Sequence, residues 1–369
     1  MVHFMFLKSL ICSVDIDYDI VEFLLILDGQ PRRLHDPISI LDDFMMENLM
    51  SLITRHVRCE YPEIGRNLLD ISFITSSENH TYRLNCGENK YSLRLQRPGY
   101  HSREEIQAEL RFVEILNDRN IKTARPVSTS SGENVSIVSA PGGDILVSIF
   151  EWIDGEHPTP EKNLEVYGQL GLVMGTMHNI SESITPFFYD KRPSWNFDRI
   201  IGDNSVWGSW YQSNYVSRPQ ENLVKRSIYE IQKRLHEYHG EKIYGLIHAD
   251  MRPTNIIVRN NELVIIDFDD CCHSWYMFDI AASASFLEHD YKVTDWLNEL
   301  LHNYLTVRKL NQDDLDILPY FIAMRRIQLM AWYFSHINSD FAKTLGHEWF
   351  ECSYNVIERI LQGEFNLSL

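Results

Sequence analysis

The sequence predicts an α+β protein with a small lobe built on an antiparallel sheet and a larger, mainly helical lobe. Short runs of β-branched and aromatic residues, separated by polar turns, fill residues 60–150 around one amphipathic stretch. From residue 151 onward, apolar residues recur mainly at helical spacing. We therefore expect three parts: an N-terminal extension with a leading helix (1–59), a small lobe (60–150) and a helical lobe (151–369).

The small lobe is expected to contain a three-stranded meander, one helix and two further strands. A leading helix over 41–59 precedes it, and the amphipathic helix over 102–120 begins with a serine and has glutamates in its first turn. The expected strands are bounded by polar turns and cover residues 68–74, 80–86, 90–96, 135–140 and 145–153. The segment FEWIDGEHPTP, rich in turn-forming residues, indicates the connection to the second lobe.

The helical lobe is expected to hold two long helices, a tryptophan-rich loop between them and three later helices. Apolar residues fall at helical spacing in residues 163–180, 220–239, 279–289, 293–305 and 314–337. The loop carries Trp195, Trp207 and Trp210. These rings suit either ordinary core packing or a wall that binds a cationic substrate.

Composition and charge argue against several classes of protein. The net charge of −18 disfavours nucleic-acid binding, where a basic face supplies most of the affinity, and it suits a cationic substrate or simple solubility. No apolar run is long enough to span a bilayer, and the N-terminal segment lacks the cleavage-site pattern of a secretory signal. We expect a cytoplasmic protein without membrane partners, in which the six scattered cysteines are thiols and the vicinal Cys271 and Cys272 have a structural role.

The densest group of chemically active residues lies between positions 246 and 270. The run HADMRPTN separates two short apolar strands, and IDFDD ends a third. If the last two strands form a hairpin, Asp250, Asn255 and Asp267 meet at one mouth of it. Carboxylate and amide oxygens suit Mg²⁺, and a carboxylate that is not bound to metal can accept a hydroxyl proton. Phosphoryl transfer needs this combination of groups.

A plain alternative is an acidic hairpin with a capping aspartate and a turn asparagine. The spacing of Asp250 and Asn255 matches the catalytic loop of kinases, in which a further metal-binding aspartate follows the next strand. That spacing alone is weak evidence. The order of His248, Asp250, Asn255 and IDFD, after a strand-rich lobe and a connecting segment, favours a kinase site.

The motifs HADMRPTN, IDFDD and FDIA resemble those of the aminoglycoside phosphotransferase and choline kinase family. Members of that family are small-molecule kinases with a bilobal, protein-kinase-like fold. The resemblance covers roughly residues 65 to 335 and is greatest to the bacterial branch that includes homoserine-kinase-like and stress-response kinases. It implies that ATP and Mg²⁺ are required, that Asp250 is the catalytic aspartate, and that Asn255 and Asp267 are the metal ligands.

The same resemblance implies supporting roles for neighbouring polar residues. We expect His248 to brace the catalytic loop rather than to take part in the chemistry. Asp269 and Asp270 either assist with metal or substrate or simply end the strand. Asp279, in FDIA, is expected to be an N-cap or a loop brace for the helix that follows.

The nucleotide-binding residues implied by the resemblance depart from the family pattern at one position. The third strand carries Arg94 where the family usually has lysine, and Arg does not share the geometry of Lys. Glu109 is the expected helix partner of Arg94, with Glu105 as the competitor. The expected phosphate-covering loop lacks glycines and consists of Ser76, Ser77, Glu78 and Asn79. The alternative for that loop is a plain hairpin turn.

Backbone groups of Phe150, Glu151 and Trp152 are expected to face adenine at a strand edge without a neighbour. Three residues outside the motifs also carry expectations. His178 is expected to end a helix as a packed or capping residue. Of Arg325 and Arg326, one is expected to point at the site and the other at solvent.

The leading functional hypothesis is an ATP- and Mg²⁺-dependent kinase that phosphorylates a hydroxyl group of a small molecule. An amino-alcohol, an amino acid or an aminoglycoside-like compound would serve as the acceptor. One alternative is a protein Ser/Thr kinase of the stress-response type. Another is a nucleotide-binding pseudokinase scaffold, which the Lys-to-Arg departure at Arg94 favours and the intact Asp250, Asn255 and Asp267 disfavour.

Overall fold

The computed structural model describes residues 37–76, 79–140, 143–188, 190–240, 242–365 and 367. It divides into two compact units. The sheet unit comprises the described parts of Met1–Arg103 and Pro126–Trp152, and the helical unit comprises those of Glu104–Arg125 and Ile153–Leu369. The large antiparallel sheet lies in one unit and most of the helices lie in the other, which confirms the predicted α+β fold.

The sheet unit contains a six-stranded antiparallel sheet, and two helices precede the strands in the sequence. Helices α1 (Pro37–Glu60) and α2 (Pro62–Asn67) precede it. The strands are β1 (Asp70–Ser76), β2 (His80–Cys86), β3 (Asn89–Leu95), β4 (Pro126–Val127), β5 (Ser136–Ala140) and β6 (Gly143–Glu151). Their order is β1-β2-β3-β6-β4, and β5 also pairs with β6. Alternate residues of the strands pack against Ile53 and Val57 of α1 to form the core of this unit.

The helical unit is built around long helices that bury one large apolar core. Its helices are α3 (Arg103–Asp118), α4 (Asn163–Phe188), α5 (Phe197–Ile201), α6 (Arg218–Glu237), α7 (Tyr276–Ser283), α8 (Val293–Tyr304), α9 (Gln312–Ser335) and α10 (Asp340–Leu361). Helix α4 packs closely on α8. A Cβ at Gly171 would lie 2.1 Å from the carbonyl oxygen of Leu300, so this close approach requires glycine.

Two small antiparallel pairs of strands flank the motif residues. Strand β7 (Tyr244–Ile247) pairs with β10 (Cys272–Trp275). Strand β8 (Ile256–Arg259) pairs with β9 (Glu262–Ile265), and Ile256 lies opposite Ile265. The predicted hairpin after HADMRPTN is therefore confirmed.

Several helix boundaries differ from the sequence-based expectation. The leading helix begins earlier, at Pro37, and α2 follows it as a separate short helix. Helix α4 continues to Phe188, so His178 lies inside the helix rather than at its end. No prediction covered α10, in which two helical segments meet at a left-handed glycine, Gly346 with φ 60°.

The structure bears on the membrane segments and on the cysteines. Among the described residues, no helix is long and apolar enough to cross a membrane. The five described cysteines are thiols, and Cys271 and Cys272 are buried.

Candidate active site

The loop after β7 is held by a buried carboxylate, Asp279 of α7. Its Oδ1 accepts a hydrogen bond from the backbone N–H of Ala249 at 2.8 Å, and its Oδ2 accepts one from that of His248 at 3.2 Å. Ala249 has a φ of 69°, which is strained for a residue other than glycine. Asp279 thus holds the backbone turn that precedes Asp250. It is not an N-cap, because α7 begins at Tyr276 and Trp275 occupies the N-cap position.

His178 extends this network into the core of the helical unit. Its Nε2 lies 3.1 Å from Asp279 Oδ2, and its Nδ1 lies 2.8 Å from the hydroxyl of Tyr304. Burial lowers the pKa of His178 although Asp279 opposes the shift. A neutral imidazole fits both contacts, because Nε2–H donates to the carboxylate and Nδ1 accepts from tyrosine. His178 is a packed residue, and it caps no helix.

His248 connects the loop after β7 to the segment that leads to Asp267. Its Nδ1 accepts the backbone N–H of Asp250 at 3.2 Å, and its Nε2 donates to the carbonyl oxygen of Ile266 at 3.1 Å. Burial lowers the pKa of His248 despite the nearby Asp279 and Asp250. The neutral ring therefore keeps both bonds, as the expected bracing role requires.

Both carboxylate oxygens of Asp250 have hydrogen-bond partners. Arg325 Nη2 donates to Oδ1 at 2.5 Å, while Arg252 Nε and Asn255 Nδ2 donate to Oδ2 at 3.1 and 2.8 Å. Burial alone would raise the pKa of this carboxyl, but Arg252 and Arg325 outweigh it and lower the pKa below its ordinary value. The Asp250 side chain is 15% exposed, so an acceptor hydroxyl can reach an ionised carboxylate.

Asn255 and Asp267 are brought to one mouth of the β8–β9 hairpin. The backbone N–H of Ile266 donates to the Asn255 carbonyl oxygen at 3.0 Å. Asn255 Nδ2 donates to both the backbone and the side chain of Asp250, so the amide oxygen is the end that can bind a cation. Asp267 is exposed and has a φ of 64°.

The available ligands fit a magnesium ion that also binds phosphate. Within the described residues, no cluster of three or more His, Cys, Asp or Glu side chains is placed to hold a metal. One carboxylate and one amide oxygen would leave most positions around an ion to water and phosphate oxygens. Mg²⁺ is commonly bound in this way, through one or two carboxylates and the phosphates of a substrate.

A buried arginine organises the segment after Asp267. Arg192 donates from Nη2 to the carbonyl oxygen of Asp269 at 2.5 Å, from Nε to that of Cys271 at 2.7 Å and from Nη1 to that of Glu105 at 3.0 Å. The Asp269 side chain is buried, whereas Asp270 is partly exposed. Of the two aspartates, Asp270 is therefore the more accessible to a ligand.

Arg94, in the sheet unit, belongs to a polar network with Asn79. With the Gln96 amide in the orientation that satisfies both neighbours, its oxygen accepts from Arg94 Nε and Nη2 at 2.9 and 3.1 Å, and its nitrogen donates to Asn79 Oδ1 at 3.2 Å. The same Oδ1 accepts the backbone N–H of Arg97 at 2.8 Å. The Arg94 guanidinium lies 5.1 Å from the ring centroid of Phe150. The structure thus brings Arg94, Asn79 and Phe150 together.

The other residues expected to bind nucleotide lie in different environments. Phe150 has strand neighbours on both sides, Ser92 and Pro126, so the expectation of an open strand edge there is wrong. Glu151 pairs only with Tyr91 among the described strands, and the Trp152 ring lies under Arg83. Ser77, Glu78 and the side chain of Ser76 lie outside the described residues. Glu109 is fully buried in α3, in the other unit from Arg94, and Glu105 contributes its carbonyl oxygen to Arg192.

The tryptophans of the loop favour the core interpretation. Trp195 is buried in the core of the helical unit, and Trp210 is partly buried against that core. Trp207 is also buried, with its ring against that of His336. Arg326 is fully buried as well, so the expectation that one of the two α9 arginines faces solvent is wrong. A buried charge requires a partner of opposite charge, and Glu288 Oε2 lies 2.6 Å from Arg326 Nη1 in the core.

Sequence reasoning missed Arg252, which bonds to Asp250, and two aromatic rings that lie under Arg252. Arg252 stands inside the quoted motif, and its position two residues after Asp250 was the available signal. Phe286 and Phe341, whose rings lie under Arg252, come from a turn and from the unpredicted helix α10. No sequence pattern connects these two rings to position 252.

Comparison with known proteins decides the family. Residues 70–321 match the model of the phosphotransferase enzyme family, known as APH, which is more than half of the chain. The chain belongs to this family. It is therefore a phosphotransferase of the kinase type with a protein-kinase-like fold, as the sequence motifs predicted.

Individual relatives agree with this assignment. The chain is 22% identical to amicoumacin kinase of Bacillus subtilis (strain 168) over 273 residues, which cover 70% of this chain and 77% of that one. The structure of a microcompartment-associated aminopropanol kinase is 29% identical, with a TM-score of 0.76 and coverage of 86% and 99%. Amicoumacin kinase hAmiN, solved with AMP-PNP, Ca²⁺ and Ami, has the same fold, with 21% identity, a TM-score of 0.66 and coverage of 85% and 93%.

Proposed function

We propose that the chain is an ATP- and Mg²⁺-dependent kinase that transfers the γ-phosphate of ATP to a hydroxyl group of a small molecule. The observation that carries this proposal is the arrangement of Asp250, Asn255 and Asp267 at one mouth of the β8–β9 hairpin. A braced, ionised carboxylate stands beside an amide oxygen and a second carboxylate. This is the set of groups that phosphoryl transfer requires.

Each residue has a distinct role in the proposed reaction. Asp250 binds the acceptor hydroxyl, orients it towards the γ-phosphorus and receives its proton as the new P–O bond forms. Asn255 and Asp267 would hold Mg²⁺, which supplies positive charge to the phosphate oxygens when bound. His248 and Asp279 hold the loop in place. We place the nucleotide-binding lobe at residues 60–150, with Arg94 binding phosphate oxygens and residues 151–152 facing adenine.

The acceptor is proposed to be a small hydroxyl compound that carries an amine. An amino-alcohol is the first candidate, because the aminopropanol kinase structure combines 29% identity with nearly complete coverage. Amino acids and aminoglycoside-like compounds are the next candidates. A protein acceptor is not favoured, since the named relatives act on small molecules.

The test is a transfer assay with γ-labelled ATP over a panel of amino-alcohols, hydroxy amino acids, choline, sugars and aminoglycosides. We expect Mg²⁺-dependent labelling of at least one amine-bearing alcohol. Binding of ATP without transfer to any acceptor would overturn the enzyme proposal and leave the pseudokinase scaffold.

Two variants separate the proposed roles. Asp250→Asn should lower kcat by about three orders of magnitude, because the amide cannot accept the hydroxyl proton, while the affinity for ATP is retained. Asp267→Asn should weaken Mg²⁺-dependent nucleotide binding by about tenfold or more. Titration calorimetry with AMP-PNP and Mg²⁺ measures both affinities. Equal losses of nucleotide affinity in the two variants would contradict the assignment.

A further inference from the structure

The helical unit contains a cavity of about 450 Å³ that the proposed reaction does not use. Its walls come from the second half of α4, the segment after α6, the first turn of α7 and the segment from the end of α8 to the start of α9. No described residue that lines it is one that we propose for catalysis or metal binding. Cavities that bind small molecules commonly measure about 300–1,000 Å³, so a small metabolite fits this volume.

Arg308 is held in the wall of this cavity by contacts on several sides. Its Nη1 donates to Asn179 Oδ1 at 2.8 Å and to Glu182 Oε2 at 3.0 Å. Its Nη2 donates to the Lys242 carbonyl oxygen at 2.6 Å. Its central carbon lies 4.5 Å from the ring centroid of Tyr276, and the side chain is 11% exposed. These contacts fix the guanidinium before a ligand binds, so little conformational entropy is lost on binding.

Both carboxylates that line the cavity are satisfied by protein donors. Glu182 Oε1 lies 2.6 Å from Lys242 Nζ, and its Oε2 accepts from Arg308. Asp314 Oδ1 accepts from the Tyr238 hydroxyl at 2.5 Å, and its Oδ2 accepts the backbone N–H at the N-cap of α9 at 2.8 Å. Each of the four oxygens thus has a donor. A cationic ligand would have to displace one of these donors.

The cations of the cavity, in contrast, have donors that no described residue uses. At least two of the five N–H groups of Arg308, including Nε–H, donate to no described residue. The Lys242 ammonium has one carboxylate partner among the described residues, and Lys309 adds an exposed ammonium. Three cations thus line a cavity with two satisfied carboxylates, in a chain whose net charge is −18. An anion matches these donors, and the guanidinium fork suits a carboxylate or a phosphate.

Apolar side chains form much of the remaining wall. Ile243, Val307, Leu310 and Tyr276 line the cavity beside the cations. Val307 is 39% exposed. Exposed apolar surface next to charged donors favours a ligand with an apolar body and an anionic end. We therefore expect an organic anion rather than an inorganic ion.

A row of buried hydrogen bonds leads from this cavity to the loop before Asp250. Tyr304, which lines the cavity, donates from its hydroxyl to His178 Nδ1 at 2.8 Å. His178 Nε2 lies 3.1 Å from Asp279 Oδ2, and the same oxygen accepts the backbone N–H of His248 at 3.2 Å. The three side chains of the row are fully buried. A shift of the first side chain therefore reaches the loop, because buried groups cannot exchange their partners for water.

We propose that this cavity is an effector site for a small organic anion, either a carboxylate or a phosphate monoester. Arg308 binds the oxyanion, and Lys242 and Lys309 supply further positive charge. The cavity is present in the arrangement in which Asp279 holds the loop, so a ligand that fills it stabilises this arrangement and raises the rate of transfer. Binding of the anion does not depend on the proposed function, whereas its effect on the rate rests on it.

The first experiment measures the binding of para-fluorobenzoate and para-fluorophenyl phosphate by fluorine NMR, with Mg²⁺–AMP-PNP present to occupy the nucleotide site. Arg308→Met should weaken binding by about tenfold or more, because the oxyanion loses charge-assisted hydrogen bonds. Arg226→Met, at an exposed arginine of α6, is the matched control and should keep the native Kd. If the native chain binds neither probe, or if Arg308→Met binds them equally well, the effector site is wrong.

Two milder variants keep the test valid if Arg308→Met does not fold. Lys309→Met removes an ammonium that donates to no described residue, so it should fold normally and weaken binding by roughly two- to threefold. Arg308→Lys keeps the charge but not the fork, so its affinity should lie below that of the native chain. Native affinity in both variants would show that these cations do not bind the anion and would overturn the proposal.

A neutral probe tests whether the ligand must be an anion. Para-fluorobenzamide has the shape of the benzoate without its charge, and it should bind about tenfold more weakly or worse. Equal binding of the amide and the acid would overturn the assignment of an anion. A preference for the benzoate or for the phosphate supports the site and identifies which oxyanion it takes.

The transfer assay, with the tighter probe added, tests the coupling to the loop. Saturating probe should raise kcat of the native chain by about fivefold. Tyr304→Phe removes the hydroxyl that begins the row, so it should bind the probe within about twofold of the native Kd but lose this increase. Tyr229→Phe, at an exposed tyrosine of α6, is the matched control and should keep the increase. An unchanged native kcat would overturn the effector role, and an equal increase in Tyr304→Phe would overturn the route.

Hydrogen exchange separates this inference from the proposed function, because it needs no catalysis. The exchange rate of the backbone amides of residues 246–252 reports how firmly the loop is held. Saturating probe should slow this exchange in the native chain and leave it unchanged in Tyr304→Phe. If exchange slows but no acceptor is phosphorylated, the site stands and the enzyme proposal fails. Unchanged exchange in the native chain would overturn the coupling, whatever the transfer assay shows.

Discussion

Two adjacent arginines of α9, Arg325 and Arg326, form ion pairs with different carboxylates. Arg325 donates to the carboxylate of Asp250, the proposed catalytic residue, whereas Arg326 donates to Glu288 at 2.6 Å, to the Ser353 hydroxyl and to the Trp349 carbonyl oxygen. Successive residues on a helix point about 100° apart, so neighbours in sequence face different parts of the core. Arg325 therefore contacts the candidate active site, and Arg326 links α10 to the core.

The difference between the two ion pairs lies in the carboxylate. Glu288 and Arg326 are both fully buried, and Glu288 Oε1 makes no hydrogen bond within the described residues. Asp250 is 15% exposed and is shared by three donors. A buried arginine alone therefore does not distinguish an active site from a structural ion pair. The exposure of its carboxylate partner does.

The largest effect is expected from breaking the structural pair. Arg326→Met leaves Glu288 charged and buried, so the free energy of unfolding should fall by about 3–5 kcal/mol in urea denaturation. The double change Arg326→Met with Glu288→Leu should recover most of that loss, because no charge remains in the core. If the double variant is as unstable as the single one, the pair is not the source of the effect.

Breaking the active-site pair should act on the rate instead. Arg325→Met should reduce kcat by about 10²-fold, or roughly 2.7 kcal/mol, because Asp250 loses the donor that fixes its Oδ1. The free energy of unfolding should fall by less than in Arg326→Met, since Asp250 keeps two other donors. Steady-state kinetics and urea denaturation of both variants test this contrast. A larger stability loss for Arg325→Met would reverse the two assignments.

An intermediate effect is expected at the carboxylate that holds the catalytic loop. Asp279→Asn keeps the shape but replaces one acceptor oxygen with a donor, which faces the N–H groups of His248, Ala249 or His178. The cost should be about 2 kcal/mol in unfolding free energy, with a fall in kcat as the loop shifts. A fall in kcat without a fall in the affinity for AMP-PNP would show that the change is local to the loop, since a general loss of structure would lower both.

The smallest effect is expected from an exposed ion pair. Lys225 lies one turn after Glu221 on α6, and its Nζ is 2.5 Å from Glu221 Oε1. The lysine side chain is 62% exposed. Lys225→Ala should change the free energy of unfolding by about 0.5 kcal/mol or less and leave kcat unchanged. A loss comparable to that of Arg326→Met would mean that charge removal itself, rather than burial, governs these variants.

The motif residues were predictable because their chemistry depends on local spacing. Asp250, Asn255 and the strand before Asp267 lie within 18 residues, and a hairpin is the only structure needed to bring them together. The surroundings of Asp250 were not predictable in the same way. Arg325 reaches Asp250 from α9, and the rings of Phe286 and Phe341 reach Arg252 from two other segments. A single sequence contains no record of such contacts.

The alternation of strands and helices, the hairpin at the candidate site and the phosphotransferase family could be predicted from the sequence, because these depend on periodicity and on short motifs. The folded structure was needed to show which arginine of α9 faces Asp250, that Phe150 lacks an open strand edge, and that the rings of Phe286 and Phe341 lie under Arg252. These features depend on helix rotation and on packing between segments that are distant in the chain. Their energies come from burial and from paired charges, which arise only when the chain is folded.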